Sequence, residues 1–325
     1  MARDSLGREI DYLRISVTDR CNLGCLYCVP EKRPPKIGFR ETLSGQEVVR
    51  IARVAGAFGV RKIRLTGGEP LLRPDILEVI RGVKATGVRD LSLTTNGTLL
   101  EGMAPALSAA GLDRVNVSLD TLKPERYRAM TGGGELEQVL SGIEAAEKAG
   151  LSPVKINMVP VRGMNDDEIL DFARLTFQKP RHIRFIELMP SGRTEFRRPE
   201  RCIRSEEIKR TVASLGKLTR RRFRGRGPSR NYRLEGAPGI LGFISPVSHS
   251  FCYQCNRLRM NAAGKIRPCL FSRAEIDIAG PLRAGASDEE LIRVLARAVR
   301  EKPEGDALSR QPGKAAIPSM SSIGG

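Results

Sequence analysis

The chain has 325 residues, with 55 Lys and Arg against 37 Asp and Glu, two histidines, seven cysteines and no tryptophan. That length can bury a core in one large domain, or in one large and one small, and 40% apolar with 28% charged residues excludes wholesale disorder. No run of eighteen apolar residues occurs, and residues 1–17 carry charges where a signal peptide needs an apolar stretch, so a soluble, cytoplasmic protein is expected. Two histidines, His182 and His249, leave little scope for His-based zinc or Ser-His-Asp chemistry. The net charge of +18 suggests polyanionic partners such as phosphates or nucleic acid.

Short apolar runs predict strands at 13–17, 62–65, 90–95, 114–119, 154–160 and 183–188. Helical spacing predicts a helix from Ser44, with Glu47 completing a capping box, and further helices near 74–86, 102–110, 136–149 and 166–177. Strand and helix alternating about six times imply a parallel sheet, either doubly wound or a barrel. Polar residues recur just after the strands, as in Thr66-Gly67-Gly68-Glu69 and Thr95-Asn96-Gly97. Sites are built on that rim in barrels, which favours a partial (β/α)6 barrel over residues 1–190.

Beyond Pro190 the texture changes. Residues 193–233 hold fifteen Lys or Arg and four Glu without clear periodicity, and a solvated charge run is the favoured reading. The few aromatics there fit no nucleic-acid-binding pattern, although a part in steering an anion stays open. A β-rich stretch with Cys252, Cys255 and Cys269 follows, then a helix capped by Ser287 and Glu290. These elements make a C-terminal region over 191–302, and residues 303–325 form a Pro-, Ser- and Gly-rich tail ending Gly324-Gly325.

Six cysteines form two triplets. Cys21, Cys25 and Cys28, spaced C-x3-C-x2-C after the first strand, can converge on one metal centre. Three ligands rather than four would leave one iron of a four-iron cluster open to another ligand. A zinc knuckle is the alternative, but it wants a fourth ligand. Cys252, Cys255 and Cys269 form a second set of three, for which a zinc ribbon completed by His249 is the competing reading. Cys202 is left as a free thiol.

Cys21 to Cys28, with Tyr27 before the last cysteine, resembles the C-x3-C-x-aromatic-C signature of the radical S-adenosylmethionine (SAM) superfamily, and Gly67-Gly68-Glu69-Pro70 resembles its GGE motif. Further ordered motifs are Arg14 to Cys21, Ile63 to Pro70, Thr94 to Gly97, Asn116 to Asp120, Lys155 to Asn157, Ile183 to Met189, Phe251 to Arg259 and the terminal Gly-Gly. Together they resemble the GTP 3′,8-cyclase family of molybdenum cofactor biosynthesis across essentially the whole chain.

The resemblance implies a partial (β/α)6 barrel whose open side is closed by a C-terminal region carrying a second cluster. It implies two [4Fe-4S] clusters, on Cys21, Cys25 and Cys28 and on Cys252, Cys255 and Cys269, with SAM on the first and the guanine base of GTP on the second. Tyr27, Gly68, Ser118 and Met189 match SAM-contacting positions. Arg14, Arg64, Thr94, Lys155, Arg257 and Arg259 match GTP-contacting positions, and Gly324 and Gly325 match a tail that enters the pocket for catalysis. The implied reaction is hydrogen abstraction from C3′ of GTP by a 5′-deoxyadenosyl radical, attack of the C3′ radical on guanine C8, and reduction of the resulting radical to 3′,8-cyclo-7,8-dihydro-GTP.

The implied partners are GTP, a low-potential electron donor and the next pathway enzyme, cyclic pyranopterin monophosphate synthase; a homodimer stays open, and neither membrane nor nucleic acid is expected. The residues themselves agree on one point. No GxxxxGK[ST] loop is present, so dispersed Arg and Lys must hold a triphosphate. Two competing readings are another radical SAM enzyme with an auxiliary cluster, for example one modifying a peptide, and a non-catalytic iron–sulfur or zinc protein that binds nucleic acid.

Overall fold

The computed structural model describes residues 2–29, 36–38, 40–189, 194–223, 227–272 and 274–305. In chain order the first half runs β1 (Tyr12–Ser16), α1 (Gly45–Phe58), β2 (Lys62–Thr66), α2 (Ile76–Ala85), β3 (Asp90–Thr95), α3 (Leu100–Ala109), β4 (Arg114–Ser118), α4 (Pro124–Thr131), α5 (Leu136–Lys148), β5 (Lys155–Met158), α6 (Ile169–Gln178) and β6 (His182–Ile186). The second half adds α7 (Ser205–Val212), β7 (Leu218–Arg221), β8 (Arg230–Leu234), β9 (Ile240–Ile244), β10 (Arg257–Met260), β11 (Lys265–Arg267), β12 (Ile276–Asp277), α8 (Ala279–Arg283) and α9 (Asp288–Arg300). Among the described residues no helix is long and apolar enough to cross a membrane.

Strands β1 to β6 are parallel and lie in sequence order, as expected for a partial barrel. Their residues alternate strictly. Leu13 and Ile15, Ile63 and Leu65, Leu91 and Leu93, Val115 and Val117, Ile156 and Met158, and Ile183 and Phe185 are all buried. They meet apolar helix faces such as Val48, Ile51, Ala52 and Ala55 of α1. Each large aliphatic side chain so removed from water is worth about 1.5–3 kcal/mol. Most of the alternate residues, among them Tyr12, Arg14, Arg64, Ser92, Lys155 and Arg184, line one cavity. A flat sheet cannot turn six strands toward one cavity, so the sheet curls around it.

The C-terminal region extends this arc at both edges. β9 pairs parallel with β6, and β10 pairs parallel with β1. The chain from β9 to β10, residues 245–256, therefore passes from one edge of the arc to the other across its open side. Antiparallel β8 and β7 continue the sheet beyond β9, and β11 and β12 continue it beyond β10.

The capping boxes at Ser44/Glu47 and Ser287/Glu290 form as expected. Three elements differ from the sequence reading. α4 is short and polar, with only Tyr127, Met130 and Thr131 buried; Pro124 starts it and Gly132, at φ 73°, ends it. α7 and the β7–β8 hairpin lie within the basic stretch, where no periodicity was evident. α7 buries only Ile208 and Val212 among its apolar residues, and the hairpin places an arginine at Arg220, Arg221, Arg230 and Arg233, so charge masks both patterns.

Candidate functional site

The first cysteine loop is gripped from three sides. The amides of Gly24 and Leu26 donate to the carbonyls of Thr131 (2.8 Å) and Met130 (3.0 Å) at the end of α4. Asn96, just after β3, donates to Asn22 Oδ1 at 2.9 Å, and Asn22 donates to Thr98 at 2.9 Å. From β2, the Gly68 amide donates to the Thr18 carbonyl at 2.8 Å and the Glu69 amide to that of Arg20 at 2.7 Å. The fit at Gly68 is tight: a Cβ there would lie 2.2 Å from the Arg20 carbonyl oxygen and 3.0 Å from Cys21 Cβ. Only glycine lets the strand end approach the loop this closely.

Glu69 is buried and binds inward. Its carboxylate accepts from the Leu71 and Asn96 amides and from Thr95 Oγ1, at 2.7–3.0 Å, and burial raises its pKa to about 7. It fixes the strand end carrying Asn96. Tyr27 donates to Asp120 at 2.5 Å, and burial raises the pKa of Asp120 to about 6. Burial also raises the Cys21 and Cys25 thiols, Cys25 strongly.

The second triplet lies at the other end of the cavity. Cys255 precedes β10 by two residues, and β10 starts level with Tyr12, the first residue of β1. Cys21 instead follows the end of β1. The five residues of β1 rise about 17 Å at about 3.3 Å per residue, which sets the scale of the separation. β11 runs antiparallel to β10, with Arg267 opposite Arg259, and so returns Cys269 to the Cys255 end. Burial raises the Cys255 thiol, but Lys302 and then Arg257 outweigh it and bring the pKa down to about 7.

Between the two ends the wall is cationic. Register places Arg259, Arg14, Arg64, Ser92 and Arg114 in one row across β10, β1, β2, β3 and β4. Ser118, Asn157, Arg184, Gly242, Asn231 and Arg221 form another across β4, β5, β6, β9, β8 and β7. Burial, then the charge of Arg259, pushes the Arg14 pKa well down, and burial followed by Arg64 brings Arg184 to about 9. Burial, then Arg184, brings Lys155 to about 6, and burial followed by Lys155 brings His182 to about 4. Guanidinium groups stay charged in proteins, so the lowered values of the arginines report burial first and mutual repulsion second, and a bound polyanion would offset both.

Both triplets and Tyr27, Gly68, Ser118, Met189, Arg14, Arg64, Thr94, Lys155, Arg257 and Arg259 line this single cavity of about 1280 Å³. Gly324 and Gly325 lie outside the described residues. Sequence reasoning missed Arg184, Lys62, Arg114 and Tyr12, which line it too, and Asp120, which orients Tyr27. Alternation on each strand was the signal that could have found the wall residues. Composition alone makes the basic hairpin a solvated charge run, yet its exposed Arg220, Arg221 and the following Arg222 line the cavity, and Phe223 packs on His182 with ring centroids 5.8 Å apart.

Comparison with known proteins agrees with this geometry. Residues 15–176 match the Radical SAM superfamily, and residues 181–308 match Molybdenum Cofactor Synthesis C. The GTP 3′,8-cyclase of Heliobacterium modesticaldum is 52% identical over 92% of this chain and 93% of its own. That of Moorella thermoacetica is 49% identical over 99% and 100%.

The chain belongs to the GTP 3′,8-cyclase family.

This family lies in the radical SAM superfamily, which implies SAM and a [4Fe-4S] cluster. At the level of fold, Streptococcus suis SuiB bound to precursor peptide SuiA superposes with a TM-score of 0.62 at 14% identity, covering 95% of this chain and 75% of SuiB. SuiB bound to S-adenosylmethionine gives 0.61 over 84% and 64%.

The residues of the first loop fit such a cluster. Its three cysteines form no disulfide, sit on a loop pinned from three sides and line the cavity. Among the described residues, no three Cys, His, Asp or Glu side chains converge as a single metal ion requires. A four-iron cluster takes each thiol on a separate iron and needs no such convergence. His249, the alternative fourth zinc ligand, instead has Nδ1 3.2 Å from Ser248 Oγ.

Proposed function

We propose that this chain converts GTP to 3′,8-cyclo-7,8-dihydro-GTP, the first step of molybdenum cofactor biosynthesis. One observation carries the reading: a single cavity has three cysteines at each end and a cationic wall between them. Cys21, Cys25 and Cys28 would hold a [4Fe-4S] cluster that, with SAM, would supply a carbon-centred radical able to take the 3′ hydrogen of GTP; C3′ could then bond C8, and a second electron from the low-potential donor, with a proton, would give the dihydro product.

The protein's own work is positioning. Tyr27, held by Asp120, offers a fixed aromatic wall to SAM; Gly68 brings backbone close to the cysteine loop; Ser118 and Met189 line the SAM side of the cavity. Arg14, Arg64, Thr94, Lys155, Arg257 and Arg259 hold GTP, and Arg184 joins them. Charge-assisted hydrogen bonds from these groups replace a phosphate-binding loop. Enclosure by the barrel keeps water from the reacting carbons.

The second triplet, Cys252, Cys255 and Cys269, would hold a second [4Fe-4S] cluster, which with only three protein ligands would supply a site for the guanine base. Gly324 and Gly325 complete the pocket. The barrel of 1–190 then supplies SAM chemistry, 191–302 the substrate side and 303–325 the closing tail. In this reading the enzyme works in the cytoplasm, draws on a low-potential electron donor and passes its product to cyclic pyranopterin monophosphate synthase. A homodimer is compatible with this scheme.

Two variants separate the roles of the triplets. Cys28→Ala should abolish SAM cleavage, whereas Cys269→Ala should keep some uncoupled 5′-deoxyadenosine formation while losing cyclisation. Equal loss of both activities in Cys269→Ala would contradict separate roles.

A further inference from the structure

Lys302 and Pro303, just beyond α9, make contacts that the proposed reaction does not use. Lys302 is only 3% exposed. Its Nζ donates to the carbonyl of Arg257 at 2.8 Å and to that of Pro268 at 2.7 Å. Arg257 lies two residues after Cys255, and Pro268 immediately precedes Cys269. One side chain thus ties together the two segments that carry these cysteines.

A neighbouring cation provides a contrast. Arg8 donates to the carbonyls of Cys252 and Pro303, each at 2.8 Å, but Asp4 balances its charge at 2.5 Å. Among the described residues no carboxylate pairs with Lys302, whose electrostatic partners are the Cys255 and Cys269 sulfurs. A buried ammonium is unfavourable without a counter-anion. A cluster held by three thiolates would supply one.

We propose that Lys302 is a positioning residue for the second cysteine triplet: it fixes the Cys255 and Cys269 segments relative to each other and provides the counter-charge of a cluster held there. The inference rests on the second-cluster reading. A fixed positive charge favours the reduced, more negative form of a cluster, so Lys302 raises its reduction potential.

The test uses the full chain with Cys21, Cys25 and Cys28 changed to Ala, which isolates the second triplet. This parent, and versions also carrying Lys302→Met or Lys302→Arg, are reconstituted anaerobically with iron and sulfide. Iron per chain is measured, and midpoint potentials are followed by electron paramagnetic resonance. Lys302→Met should lose at least half of the iron, and what remains should reduce at a more negative potential. Lys302→Arg should keep its iron, because a guanidinium can donate to both carbonyls and retains the charge.

Lys302→Met with the parent's iron content and potential would overturn the proposal. A parent that binds no iron while the unmodified chain binds one cluster would instead overturn the second-cluster reading itself. In the chain with its first triplet intact, Lys302→Met should still cleave SAM without GTP. Loss of that activity together with the iron would mean general unfolding and would also count against a positioning role.

Discussion

The Tyr27 hydroxyl donates to one oxygen of Asp120 at 2.5 Å, and the other oxygen accepts from the Val159 amide at 2.8 Å. The aromatic residue of the first cysteine loop is thereby anchored to the start of the β4–α4 connection and to the end of β5. Hydrogen bonds to charged groups contribute about 1.5–3 kcal/mol, so freeing the ring should weaken SAM binding at least about tenfold. Asp120→Ala should raise the SAM concentration needed for half-maximal 5′-deoxyadenosine formation by that factor, with iron content unchanged. An unaltered SAM dependence would remove Asp120 from the site.

Gly68 allows no side chain. A methyl group would have to displace the Arg20 carbonyl, 2.2 Å from its position, and with it the Cys21 segment. Gly68→Ala should therefore lose SAM cleavage and at least half of the first cluster's iron. Full iron and full cleavage would show that the loop can retreat without cost.

Arg184 stands among cations with no carboxylate to offset it in its row of the sheet. Arg184→Met should raise the KM for GTP about tenfold to a hundredfold, the size of a lost charge-assisted hydrogen bond, while GTP-independent SAM cleavage persists. An unchanged KM would place the triphosphate elsewhere on the wall.

Lys155 predicts a pH dependence. With the cavity empty, burial and then Arg184 hold its pKa at about 6, so the amine is largely neutral at pH 7–8. Bound triphosphate favours the charged form and raises the pKa. Binding above about pH 6 should then take up a proton, and GTP affinity should fall as pH rises until the raised value is passed. Calorimetry in buffers of different ionisation enthalpy reads this uptake, and Lys155→Met should remove it.

The sequence carried the barrel and both cysteine triplets plainly, because parallel strands with capped helices and closely spaced thiols are local patterns. Arg184 and Lys62 were harder to see. Each strand inverts the usual expectation: its apolar residues face helices outside and its charged residues face inward, and one Arg in such a strand looks like any surface charge. Lys302 was invisible for another reason. Its partners, the Arg257 and Pro268 carbonyls, are backbone atoms dozens of residues away, brought together only by the β10–β11 pairing and the docking of α9. The basic hairpin misled through composition, because fifteen cations against four acids in 193–233 conceal the few apolar residues that order α7 and β7–β8.

The central claim is tested most directly by anaerobic reconstitution of the full chain, with SAM, a strong reductant and GTP. The account predicts that GTP stimulates 5′-deoxyadenosine formation and is converted, mole for mole with it, to 3′,8-cyclo-7,8-dihydro-GTP. SAM cleavage that ignores GTP, with GTP recovered intact, would contradict it.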